Sequence, residues 1–128
     1  MNYQFELQMQ VRDYECDLEG IVNNANYLHY LEHTRHRFML DKGVSFVKLH
    51  DEGINVVVAR INIAYKMPLH SDEVFLSCLN VSKEGIKYVF QQDIYRVSDG
   101  KPVVKAKVEA VCIVDGRLGD CEKLRDLF

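Results

Sequence analysis

The residues most able to do chemistry lie in one stretch, DLEGIVNNANYLHYLEHTR, which runs from Asp17 to Arg35. Asp17 supplies a carboxylate, a group that can act as a nucleophile or as a general base. It stands just before a helical pattern, and the first N–H groups of a helix lack partners within the helix and favour a negative oxygen. Either both groups converge on one substrate, or Asp17 only makes a turn and Asn23 or Asn24 only caps the helix.

Length and composition are those of an ordinary globular domain. The chain has 128 residues, of which 48% are hydrophobic and 27% charged, so we expect a single domain over residues 1–128. The formal net charge of -3 provides no general attraction for nucleic acid. A nucleic-acid partner is therefore not expected.

Cysteine usage and hydropathy favour a reducing, cytoplasmic compartment. The four cysteines form no C-x-x-C pair and no zinc-ligand spacing: Cys16, Cys78, Cys112 and Cys121. We find no basic region followed by an apolar run at the N-terminus, and no stretch near the ~18 consecutive apolar residues of a membrane span. Cys16 adjoins Asp17, but no histidine stands at a fixed spacing to activate it, so an unreactive thiol is expected.

The spacing of apolar residues predicts a strand followed by one long helix. Residues 3–11, YQFELQMQV, alternate apolar and polar side chains, as is typical of a half-buried strand. The helix is predicted from Asn24 to Lys42, with Gly43 ending it. Its apolar side is assigned Tyr27, Leu28, Leu31, Phe38 and Met39, and its polar side Glu32, Arg35, His36 and Arg37.

Four more strands are predicted after the helix. A period of two begins at Ile54 and is closed by Pro68, and three further runs cover residues 73–82, 86–97 and 103–114. Glycine-containing turns at 83–85 and 98–101 predict hairpins. This order predicts an α+β domain in which an antiparallel sheet of about five strands wraps around one long central helix. Residues 115–128 are predicted to form a turn and a weakly structured tail.

The motif around Asp17 resembles that of the hotdog-fold acyl-CoA thioesterases. The matching residues are Asp17-x-x-Gly20-Ile21-Val22-Asn23-Asn24-x-Asn26-Tyr27, then Tyr30, Glu32 and Arg35, with Ala64-Tyr65-Lys66-Met67-Pro68 and Asp72-Glu73-Val74 as supporting segments. The closest resemblance is to the 4-hydroxybenzoyl-CoA thioesterase-like group, which includes the Tol-Pal-associated thioesterase. Several members of that group carry histidine or tyrosine in place of Asn24, and the Asn-Asn version is more similar to members that act on fatty acyl groups. The resemblance implies hydrolysis of an acyl-CoA to the acid and free CoA, with no metal or redox cofactor.

The resemblance also assigns roles in the turn. It implies that Asp17 is the nucleophile or the general base, two roles that the sequence does not separate. The developing negative oxygen would be stabilised by the backbone N–H of Asn24, with the N–H groups of Gly20 and Asn23 as helpers. Gly20 would permit a positive φ or a close backbone approach. Asp13 either holds this loop or faces solvent.

Substrate contacts are predicted on both sides of the turn. Coenzyme A carries phosphates, so a cation near the site is expected, and the candidates are Arg60, Lys66 and Lys83. Tyr27 and Tyr65 are candidates for the acyl pocket, although their spacing also fits the core.

Other titratable groups on the helix have simpler interpretations. Glu32 is a possible second carboxylate because other hotdog thioesterases use an acidic residue on this helix. A charge pair with Arg35 or His36 is the preferred interpretation. The helix histidines His29, His33 and His36 do not form an H-E-x-x-H motif, so no metal is expected.

A lone hotdog sheet would leave one face and an edge poorly covered. The family pairs subunits side by side with active sites between them, so a homodimer or a homotetramer is expected. A non-catalytic acyl-thioester-binding or partner-binding hotdog protein is the alternative, because a fold does not fix a function. A hotdog dehydratase or hydratase would need a histidine paired with a carboxylate, and the turn has no histidine.

Overall fold

In residues 2–121 and 124, which the computed structural model describes, the chain forms six strands and two helices. The strands are β1 (Phe5–Gln10), β2 (Ile54–Tyr65), β3 (Val74–Glu84), β4 (Lys87–Arg96), β5 (Pro102–Val114) and β6 (Arg117–Gly119). The helices are α1 (Asn24–Asp41) and α2 (Phe46–Asp51), and a 3-10 turn covers Asp13–Glu15. Within this part of the chain, no helix combines the length and the hydropathy needed to cross a membrane.

The strands form one antiparallel sheet in the order β1-β3-β4-β5-β2, with β6 pairing beside the end of β5. Strands β3, β4 and β5 follow one another as a meander, whereas β2 lies beyond β5, so β1 and β2 are the two edges. The predicted α+β class and antiparallel sheet are confirmed. The prediction of a turn and a weakly structured tail over residues 115–128 missed β6, because a strand of three residues shows no period in the sequence. Within that segment, residues 122–123 and 125–128 lie outside the described residues.

Both ends of α1 carry the predicted local signals. Asn23 precedes the helix and its side-chain oxygen accepts the Ala25 N–H at 3.0 Å. At the other end Gly43 has a φ of +81° and donates to the Leu40 carbonyl at 2.9 Å, while Val44 donates to that of Met39 at 2.8 Å. This pattern ends the helix at Asp41, one residue before the predicted bound, because the left-handed conformation suits glycine.

The buried face of α1 differs from the predicted apolar side at four positions: Leu28 and Arg35 were misassigned, and Tyr30 and Thr34, which were assigned to neither side, are buried. Its buried residues are Tyr27, Tyr30, Leu31, Thr34, Arg35, Phe38 and Met39. Leu28, predicted to face the core, is 36% exposed, and Arg35, predicted to face solvent, is only 9% exposed. Arg35 follows Leu31 by four residues and therefore lies on the same face of the helix. Leu28 follows Tyr27 by one residue and is therefore rotated from it by about 100° around the helix axis. The prediction was therefore wrong for both side chains.

Two clusters of buried side chains join the helix to the sheet. One surrounds Phe38 and Met39 and includes Leu49 of α2, a helix too short to be seen in the sequence pattern. The other surrounds Tyr27, Tyr30 and Leu31 and includes Leu69 and Phe75. The second cluster holds the start of α1 and the loop before it against the sheet.

Strand β2 is poorly covered along its middle. Residues 57–62 are all exposed, in place of the alternation that the sequence predicted, and the pairing with β5 is irregular between Val58 and Arg60. The apolar side chains of Val57, Val58 and Ile61 are 41%, 44% and 38% exposed. An apolar edge strand is therefore open to a further pairing partner.

Candidate active site at the start of the long helix

Asp17 lies at the first corner of a tight turn. Its N–H donates to the Ile21 carbonyl at 2.9 Å, and its own carbonyl accepts the Gly20 N–H at 3.0 Å. The side-chain Oδ1 accepts the Glu19 N–H at 2.8 Å, and the carboxylate stays exposed. Gly20 has a φ of +78°, and a Cβ there would meet nothing within 4 Å. Glycine is therefore required by the backbone conformation and not by a close approach.

The turn is fixed to the segment that connects β2 with β3. Ile21 forms an isolated β-bridge with His70, and the Val22 N–H donates to the Leu69 carbonyl at 2.9 Å. Asp13 accepts a hydrogen bond from the Ser71 hydroxyl at 3.0 Å. Asp13 thus has the loop-holding role that the sequence left open.

Glu15 connects the turn to the helix, and sequence reasoning missed it. Its carbonyl accepts the Asn23 N–H at 3.1 Å and the Asn26 side-chain amide at 2.7 Å. Its carboxylate accepts the Tyr30 hydroxyl at 2.9 Å and the Arg12 N–H at 2.7 Å. Burial and the hydrogen bond to Glu15 raise the pKa of Tyr30, which keeps this hydroxyl protonated as a donor. Asn26 and Tyr30, two residues of the motif, therefore position the helix start through Glu15. Their spacing from Glu15 is the sequence feature that could have identified its role.

Most N–H groups around the helix start already have an acceptor. Gly20 donates to Asp17 and Asn23 donates to Glu15, so neither predicted helper is a free donor in this structure. The N–H groups of Ala25 and Asn26 are both accepted by Asn23. Of the N–H groups of Gly20, Asn23, Asn24, Ala25 and Asn26, only that of Asn24 has no acceptor among the described residues.

Asn24 lines a cavity of about 280 Å³, which we call the Asn24 cavity. It brings together four of the predicted site residues, Asn24, Tyr27, Tyr65 and Lys66, and is completed by Ile21, Val22, Met67 and Pro68. The Tyr27 hydroxyl accepts the Leu69 N–H at 3.0 Å, and the ring centroids of Tyr27 and Tyr65 lie 5.6 Å apart. Asp17 does not line the cavity, but its N–H is bonded to Ile21, which does.

The remaining predicted residues lie elsewhere. Arg60 is highly exposed on β2 and its Nε lies 3.8 Å from Glu109 Oε2, while Lys83 Nζ lies 2.9 Å from Asp120 Oδ2. Of the three predicted cations, Lys66 is the one that lines the Asn24 cavity. Glu32 Oε1 lies 3.9 Å from His36 Nε2 and the residue lines two other cavities; its predicted charge pair stays a prediction.

The Cys16 thiol is poorly suited to act as a nucleophile, and the described residues form no metal-ligand cluster. Burial, together with the carboxylates of Asp13 and Asp17, raises the pKa of the Cys16 thiol, which disfavours a nucleophilic thiolate. All four cysteines are free thiols. Across residues 2–121 and 124, no three side chains of His, Cys, Asp or Glu lie together as metal ligands would.

Comparisons with known proteins identify the family of the chain. The model of the thioesterase-like superfamily matches residues 11–121. The chain is 35% identical to the acyl-acyl carrier protein thioesterase ATL2 of Arabidopsis thaliana over 109 residues, 83% of this chain but 57% of that protein. It therefore spans a little over half the length of ATL2. It is also 33% identical to the long-chain acyl-CoA thioesterase FadM of Escherichia coli, over 84% of this chain and 82% of FadM.

A solved crystal structure has the same fold as this chain. The crystal structure of a hypothetical protein from Aquifex aeolicus superposes with a TM-score of 0.89 at 28% identity, covering 96% of this chain and 98% of that one. These matches do not distinguish the narrower 4-hydroxybenzoyl-CoA and Tol-Pal-associated group, which stays a prediction.

Proposed function

Because the chain belongs to the thioesterase-like superfamily and has its hotdog fold, we propose that it hydrolyses a fatty acyl thioester to the free acid and a thiol. The observation that carries the proposal is that Asn24, whose N–H has no acceptor among the described residues, lines the Asn24 cavity, with the Asp17 carboxylate exposed in the adjoining turn. Relatives named for acyl carrier protein and for long-chain acyl-CoA substrates support fatty acyl groups on either carrier. Coenzyme A enters as part of the substrate, and the mechanism proposed below uses no other cofactor.

Asn24 would bind the carbonyl oxygen of the thioester. Negative charge develops on that oxygen as the carbonyl carbon becomes tetrahedral, and a free N–H at a helix start is already oriented toward it. One such donor is typically worth ~2.7–4 kcal/mol in the transition state. Burial raises the pKa of Tyr27, and its oxygen already accepts the Leu69 N–H, so its hydroxyl hydrogen is left to donate to the substrate.

Asp17 would supply the attacking group or activate it. As a nucleophile, the carboxylate adds to the carbonyl carbon, the C–S bond breaks, and water then hydrolyses the acyl-aspartyl anhydride. As a general base, it takes a proton from a water molecule that adds directly to the carbon; the C–S bond then breaks and the leaving thiolate takes up that proton. Both routes require an exposed carboxylate beside the oxyanion donor, and the exposed side chain of Asp17 in the turn supports either one.

Substrate binding would use the rim of the same cavity. Lys66 is exposed there and would attract the phosphates of the carrier, while the half-exposed Tyr65 would cover the acyl group. Arg60 lies on the β2 edge and is not part of this cavity, so its role in binding stays a prediction.

We further propose that the active form is a homodimer in which the β2 strands of two subunits pair. β2 is a twelve-residue edge strand with an exposed apolar surface, and such edges are normally covered or paired. A two-fold pairing of β2 would also extend the sheet across both subunits. Assembly of two dimers into a tetramer stays a prediction.

The Ile61→Lys variant is expected to dissociate this dimer, because a charge on the pairing edge cannot be desolvated without cost. Sedimentation velocity should then give a monomer where the parent gives a dimer. The matched control is Val97→Lys, which places the same charge on an apolar side chain that is 49% exposed in the turn after β4. A dimeric Ile61→Lys protein, or a monomeric Val97→Lys protein, would contradict the β2 interface.

The function itself is tested by free-thiol release from a panel of acyl-CoA and acyl-carrier-protein thioesters of increasing chain length. We expect turnover, with one carrier and one range of chain lengths preferred. Tight binding without turnover on every substrate would favour the non-catalytic acyl-binding alternative. Modification of an enoyl or hydroxyacyl group with the thioester intact would instead indicate a dehydratase or hydratase.

A further inference from the structure

Arg35 is a buried cation held in one orientation. Its side chain is inside the fold, and burial lowers its pKa. Nη1 donates to Gln92 Oε1 at 2.8 Å, and the amide of Gln92, itself fully buried, donates to the Leu31 carbonyl at 3.0 Å. Gln92 therefore bridges the helix backbone and the guanidinium and fixes the plane of the guanidinium group.

Arg35 forms no ion pair among the described residues, although the charge of Glu32 partly offsets the lowering of its pKa by burial. No carboxylate there lies within ion-pair distance of it, and Gln92 is its one hydrogen-bond partner among them. Every fully enclosed side-chain nitrogen or oxygen in the same residues has a partner, so the unbonded guanidinium nitrogens must reach accessible space. Burying a cation whose N–H groups lack acceptors costs free energy of desolvation, and an anion that binds to these N–H groups offsets that cost.

That space is a second cavity, of about 290 Å³, which we call the Arg35 cavity. Its walls are mostly apolar and come from Phe46, Val56, Val58, Phe90 and Ala110, and its polar lining is Glu32, Arg35, His36 and Asn55. It shares no lining residue with the Asn24 cavity. The Arg35 cavity therefore combines an apolar pocket with one oriented guanidinium.

We propose that the Arg35 cavity binds the carboxylate of a small acid with an apolar body, and that the open N–H groups of Arg35 donate to its oxygens. The planar fork of a guanidinium matches a carboxylate, and the apolar walls match a hydrocarbon or aromatic body. Glu32 lines the same cavity and would repel a dianion such as inorganic phosphate. Burial lowers the pKa of His36, so Arg35 is the one firm positive charge of the lining and Glu32 is its one carboxylate.

The proposal does not depend on thioester hydrolysis. The acid released by the proposed reaction and an unrelated metabolic acid would offer the same carboxylate. A series of free acids matched in chain length to the acyl-CoA panel distinguishes these sources. If the ligand is the reaction product, the acid that binds most tightly has the same chain length as the acyl-CoA that is hydrolysed best. If the ligand is an unrelated acid, the two chain lengths differ.

A fluorescent reporter can be placed in the cavity wall. The sequence contains no tryptophan, so Phe46→Trp introduces a single one beside the ring of His36. Hexanoate and benzoate should change its emission with saturation, and hexanamide and benzamide, which have the same shape but no charge, should bind at least about tenfold more weakly. Inorganic phosphate should not bind. Equal binding of acid and amide, or tight phosphate binding, would overturn the proposal.

The role of Arg35 is tested by Arg35→Met in the reporter background, with Arg37→Met as the matched control. Arg37 is two residues away on the same helix, carries the same charge and is exposed. We expect hexanoate affinity to fall about tenfold or more for Arg35→Met only. Retained affinity in a folded Arg35→Met protein would overturn the proposal. If circular dichroism shows that Arg35→Met does not fold, the comparison of acids with amides in the Phe46→Trp protein is the test of the proposal.

Discussion

The Asp17→Asn variant is expected to lose thioester hydrolysis by about 10²–10⁴-fold in kcat, the range that a general base or acid typically contributes. The fold should be unaffected, because the side chain is exposed. The amide oxygen of asparagine can also still accept the Glu19 N–H, the hydrogen bond that shapes the turn. Free-thiol release under saturating substrate, with thermal unfolding measured in parallel, separates lost chemistry from lost structure.

Glu19→Gln is the matched control for Asp17→Asn. It removes one carboxylate charge from the same turn, and its side chain is equally exposed. This variant should keep the parental kcat, since no role is proposed for the Glu19 carboxylate. If Asp17→Asn kept parental turnover, the proposed role of Asp17 would be wrong, and Glu32 would be the next carboxylate to replace.

The two possible roles of Asp17 differ in where an oxygen atom goes. In a single turnover in isotopically labelled water, a general base delivers the label directly to the released acid. If Asp17 is a nucleophile and water attacks the aspartyl carbon of the anhydride, the acid carries an unlabelled oxygen from Asp17 and the label appears in the Asp17 carboxylate. Water attack at the acyl carbon labels the acid as a general base would, so label in Asp17 is the outcome that identifies the nucleophile. Mass spectrometry of the product and of the peptide that contains Asp17 reads both outcomes.

The Asn24→Pro variant is expected to lower kcat by about 10²–10³-fold, the usual cost of removing one oxyanion donor. Proline deletes the backbone N–H of Asn24 together with its side-chain amide. Asn24 is the first residue of α1, a position that proline favours. Asn23 has φ -65° and ψ 140°, which is the conformation that a following proline requires. The unfolding midpoint should therefore stay close to that of the parent.

Asn24→Ala is the control for this variant, because it removes the side chain and keeps the backbone N–H. It should retain most of the parental kcat if the N–H is the group that acts. Similarly large losses in Asn24→Ala and in Asn24→Pro would assign the effect to the side chain, which both variants lack. The backbone oxyanion site would then be wrong.

Local sequence patterns determined a large part of this structure. The bounds of α1 follow from Asn23 and Gly43, and the alternation in residues 3–11 located β1, because caps and periods act over only a few residues. The same local reasoning identified the turn of Asp17 and Gly20 and the helix start at Asn24. α2 and β6 were missed because they are too short to show a period.

Tertiary contacts decided the rest, because they join residues that are distant in the sequence. The Glu15 carbonyl engages Asn23, which leaves Asn24 as the free donor at the helix start. Tyr27 meets Leu69 and Tyr65 only after the chain has passed through β2. Arg35, polar by type, is buried because Gln92 of β4 accepts its hydrogen bond. The sequence by itself determined where the helix starts and which carboxylate precedes it, whereas packing determined which groups there stay free to react or to bind.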